Sequence, residues 1–100
     1  MWEVFTAAVY DHANGVIEVM AWLHLDGELH LLSKAATWNL YQEGSNDIFA
    51  SVTNAVANKR FHAAFGSIAL PPDKVYFLET KITDGSDVIH TSGSAFVTLD

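Results

Sequence analysis

The clearest pattern along the chain is a two-residue alternation in which Ile17, Val19, Ala21, Leu23 and Leu25 interleave with Val16, Glu18, Met20, Trp22 and His24. A period of two puts these sets on opposite faces of a β-strand, with the odd-numbered set towards the core. Asn14-Gly15, just before it, is a strong hairpin signal, because both central residues of a type I′ turn need positive φ. A two-residue loop there predicts Ala13 opposite Val16, Tyr10 opposite Val19 and Ala8 opposite Ala21. Residues 2 to 38 then read as three strands. At Asp26-Gly27 a three-residue loop, with Gly27 left-handed, keeps Leu29 and Leu31 beside Leu25 and Leu23. It also sets His24 directly opposite His30.

After Gly44 the period changes. Ser45, Asn46 and Asp47 offer N-cap oxygens, and Ile48, Phe49, Val52, Ala55 and Val56 recur at helical spacing, with Phe61 and Phe65 extending the stripe. Lys59 and Arg60 suit the negative end of a helix dipole and Gly66 suits a C′ position, so the spacing predicts a helix over residues 46 to 65. Beyond Pro71-Pro72, Lys74 to Thr83 and Val88 to Leu99 read as two strands joined by Asp84-Gly85-Ser86-Asp87. A four-residue loop there pairs Ile82 with Ile89 and Leu78 with Gly93, and sets Lys81 beside His90.

The order βββαββ predicts a two-layer α+β domain spanning residues 1 to 100, with an antiparallel sheet of about five strands and one long helix on one face. A helix of about 20 residues is only some 30 Å long and 10 Å wide, so it covers one face at most. Yet large apolar groups mark both faces of the first strands: Trp2, Val4, Leu23 and Leu31 on one, Phe5, Val9, Met20, Trp22 and Leu32 on the other. The second set predicts a binding surface of Phe5, Met20, Trp22 and Leu32, flanked by His24 and His30. A second copy of the chain, as a homodimer, is expected to shield part of it.

Charge narrows the choice of partner. Twelve Asp and Glu stand against 5 Lys and Arg, a net charge of −7, which argues against nucleic acid because phosphate contacts need a basic face. Apolar runs reach about five residues where a membrane span needs roughly 20, and no basic, apolar leader is read at the start, so a cytoplasmic location with no membrane partner is expected. There is no cysteine, hence neither disulfides nor a thiolate metal site.

Three constellations carry possible chemistry. His24 and His30, if opposed, could share a metal ion or repel when both are protonated, but no third fixed ligand accompanies them. Glu79-Thr80-Lys81 with His90 matches the Glu-x-Lys step of a magnesium nuclease, but Asp73 lies too far along the same strand to complete the site. Ser92 and Ser94 lie on the same strand face as His90, at about 7 Å, beyond hydrogen-bond reach. The resulting expectation is a non-enzymatic protein-binding module of the inhibitor, antidote or adaptor type, without cofactor or metal. The competing reading is a ligand-binding or hydrolytic domain with a pocket between sheet and helix, using the paired histidines.

Overall fold

The computed structural model describes residues 1–11, 13–30, 33–54, 61–65 and 75–97. Eight strands run in chain order: β1 (Trp2–Asp11), β2 (Val16–Leu25), β3 (Glu28–Leu29), β4 (Ser33–Gln42), β5 (Ala50–Asn54), β6 (Phe61–Phe65), β7 (Val75–Asp84) and β8 (Ile89–Val97). They form two antiparallel sheets. In the first, β2 lies between β1 on one side and β3 and β6 on the other; the second has the order β5-β4-β7-β8. The sheets stack as a sandwich, with β1 next to β8 and β5 next to β6.

The core is what the alternation dictates. Ile17, Val19, Ala21 and Leu23 of β2, joined by Phe61 and Phe65 of β6, face Ala36, Trp38 and Leu40 of β4 and Tyr76, Leu78 and Ile82 of β7. A polar link crosses it, with the Thr6 hydroxyl donating to Thr80 Oγ1 at 2.8 Å.

The expected α+β architecture is overturned: no helix occurs among the described residues, and the stretch read as helical contains β5 and β6. Short apolar runs fit either period. Ala50 and Val52 pack inward while Ser51 and Thr53 face out, and Phe61, Ala63 and Phe65 alternate likewise about Ala64. As strands, the two segments extend the pairing of both sheets and feed the shared core from each side. A helix would bury one stripe on one sheet. Lys59, Arg60 and Gly66, assigned to that helix, lie outside the described residues.

Loop lengths shift the registers. The first hairpin has a four-residue loop closed by Gly15 (φ 63°), whose N–H donates to the Asp11 carbonyl at 2.9 Å; Tyr10 pairs with Ile17 and Ala8 with Val19. That is a displacement by two, so every face is preserved. At the second, Asp26 (φ 52°) and Gly27 (φ 85°) are both left-handed and make a two-residue loop. Leu25 then pairs with Glu28, and His24 with Leu29. The single third strand expected up to residue 38 is instead divided, with β3 ending at Leu29 in the first sheet and β4 starting at Ser33 in the second, while Leu31 lies outside the described residues. At the last hairpin Gly85-Ser86-Asp87 forms a three-residue loop with Asp87 left-handed (φ 64°). The change by one residue flips β8 against β7, pairing Ile82 with His90, Lys81 with Thr91 and Glu79 with Gly93.

Candidate functional site

The sandwich buries the inner face of each sheet and, among the described residues, leaves both outer faces open. On the first sheet the outer face is built by the cross-strand pairs Phe5 with Trp22, Ala7 with Met20, Glu3 with His24 and Val9 with Glu18. Phe5 is 45% exposed, Val9 58% and Leu29 37%, while Met20, Trp22 and His24 are half-buried beside them. The Phe5 and His24 rings meet edge to face with centroids 4.7 Å apart. Four of the six residues expected to form a binding surface, Phe5, Met20, Trp22 and His24, are thus brought together. Leu32 lies outside the described residues.

His30 is elsewhere. Its N–H donates to the Leu23 carbonyl at 2.8 Å, and its ring meets the Trp2 ring with centroids 4.8 Å apart, at the end of the sandwich. The His24–His30 pair is therefore not formed: His24 faces Leu29 across the strand. A metal shared by directly opposed imidazoles, and a switch based on their repulsion, lose their geometry. The competing pocket between sheet and helix loses its helix as well.

The electrostatics of the outer face follow from a charge asymmetry in the sequence. Glu3, Asp11, Glu18, Asp26 and Glu28 precede Lys34, the first Lys or Arg of the chain, so the β1–β2 hairpin carries carboxylates and no Lys or Arg, and the Met1 amino group pairs with Asp26 beside it. Glu3 and Glu18 stand on the apolar face itself.

A second cluster, not foreseen as such, fills the end of the sandwich. A pocket of about 350 Å³ is lined by Trp2, Leu25, His30 and Asp84. Asp84 is buried, and its Oδ2 lies 2.8 Å from His90 Nε2 while Oδ1 accepts the N–H groups of Ser86 (2.7 Å) and Val88 (3.1 Å). The hydrogen bond from His90 and those from Val88 and Ser86 hold this carboxyl below its ordinary value, against the upward pull of burial. Trp2 covers the His90 ring with centroids 4.4 Å apart. Ser33 pairs with Asp84 in register and is buried, but its hydroxyl makes no hydrogen bond among the described residues and so is not linked to the imidazole. The pair closes the β7–β8 turn. An Asp with Ser two residues later is an Asx-turn signal that could have located it.

The expected Glu79, Lys81 and His90 cluster is split. Lys81 Nζ lies 3.7 Å from Glu79 Oε1 on the outer face of the second sheet, whereas His90 is on the inner face with Ser92 and Ser94. Asp73 lies outside the described residues. No family model, curated protein or solved structure matches this chain. Among the described residues no helix is long and apolar enough to cross a membrane.

Proposed function

We propose that this chain is a non-catalytic protein-binding module, of the inhibitor, antidote or adaptor kind, that docks a basic protein on the outer face of its first sheet. The observation that carries the reading is the contiguous Phe5, Met20, Trp22 and Val9 surface into which Glu3 and Glu18 are set beside His24, with no Lys or Arg on it among the described residues. Contiguous apolar area supplies the driving force for association, and charges at its rim select the partner and steer its approach. A second copy would bring two anionic hairpins face to face, so the charge pattern favours a partner whose apolar patch is ringed by Lys or Arg.

Capture from cells of its own source tests this with three baits: the parent protein, Phe5→Asp, and Val88→Asp, the last altering an exposed apolar residue in the β7–β8 turn. The expected result is a basic protein retained by the parent and by Val88→Asp, lost with Phe5→Asp, and eluted as salt rises. Identical captured sets for all three baits would overturn the assignment of the face.

A further inference from the structure

The outer face of the second sheet holds a separate groove of about 450 Å³, lined by Tyr41, Phe77, Glu79, Thr91, Gly93 and Ala95. Its shape comes from the register: Phe77 stands opposite Ala95, Glu79 opposite Gly93 and Lys81 opposite Thr91, so a column of large residues on β7 runs beside a column of small ones on β8. Gly93 has no need to be glycine for the fold. Its φ lies outside the left-handed region, and nothing lies within 4 Å of where a Cβ would stand. Glycine inside a strand weakens it, and close approach by another molecule is one recurrent reason for a glycine there.

The geometry points to this groove as a binding site for a neutral carbohydrate, with the apolar face of a sugar ring on Phe77 and its hydroxyls at Glu79 and Thr91. Phe77 is 44% exposed and offers an aromatic platform. Glu79 Oε1 accepts from Asn39 Nδ2 at 3.1 Å and from the Tyr41 hydroxyl at 3.4 Å, with Lys81 Nζ at 3.7 Å. These neighbours fix the carboxylate and offset its charge. Lys81, beside Glu79 rather than in the lining, disfavours a free cation there, and Glu79 itself disfavours a free anion. A polyol, donor and acceptor at every hydroxyl, satisfies both.

The test is an NMR titration of the isotope-labelled chain with cellotetraose, xylotetraose, maltotetraose and chitotriose at millimolar concentration, with arginine and acetate as charged probes. At least one oligosaccharide is expected to shift the amide signals of Phe77, Glu79 and Gly93 saturably, and Phe77→Ala to weaken it about tenfold or more. Gly93→Val fills the groove without meeting protein atoms at its Cβ, so it should keep the thermal midpoint while abolishing the shifts. The proposal is overturned if no oligosaccharide moves these signals, if only arginine or acetate does, or if Gly93→Val binds as well as the parent.

Discussion

At the scale of single residues, Asp84 is the most constrained ionisable group described, because its carboxylate gathers His90 and two backbone N–H groups in a buried turn. Its folded-state pKa is depressed, so the unfolded chain binds the proton more readily. The contribution is therefore fully present above the unfolded value of about 3.9 and is lost as pH falls through the folded one. Asp84→Asn should lower stability at neutral pH and flatten the acid limb, read from urea unfolding at pH 7 and again well below pH 4. An unchanged difference between the two conditions would remove Asp84 from the account. The partnership was hidden in the sequence because it depends on loop length. A four-residue loop sends His90 to Lys81; the three-residue loop sends it inward beside Ile82 and within reach of Asp84.

At the scale of elements, adjacent positions on one strand should respond oppositely. Leu78 is fully buried and Leu78→Ala should cost about 2–5 kcal/mol, while Phe77→Ala next to it should cost no more than about 1 kcal/mol, since its ring is largely outside the core. The glycines separate in the same way. Gly27 is left-handed at φ 85°, so Gly27→Ala should cost about 1–2 kcal/mol, whereas Gly93→Ala should be neutral or stabilise by about 0.5–1 kcal/mol. Denaturant midpoints of these four variants check both contrasts. Most of β1, β2, β7 and β8 was legible, since β2 and β7 alternate over ten residues and turn signals tie β1 and β8 to them as hairpin partners. The five-residue strands β5 and β6 were not: a segment such as Phe61–Phe65 fits a helical stripe as readily as a strand, and only its pairing with β2 decides.

At the scale of the whole molecule, the open apolar face was legible from β1 and β2, but for an incomplete reason. Two sheets, rather than a sheet and a helix, share the core, so among the described residues each leaves an outer face uncovered. The first is apolar and anionic among the described residues; the second carries the groove between Phe77, Glu79 and Gly93. If charge steers a basic partner to the first face, its association rate should fall as salt rises, because exposed charges are screened beyond about 8 Å at physiological ionic strength. A rate independent of salt in stopped-flow mixing would leave the apolar residues alone in control. The central claim is that this face is open in the isolated chain and reserved for a partner unlike itself. Light scattering at tens-of-micromolar concentration in physiological salt tests it most directly. The expected result is the 11.0 kDa mass of one chain, unchanged by Phe5→Asp; twice that mass, reverting to one chain with Phe5→Asp, would show that the face is instead shielded by a second copy.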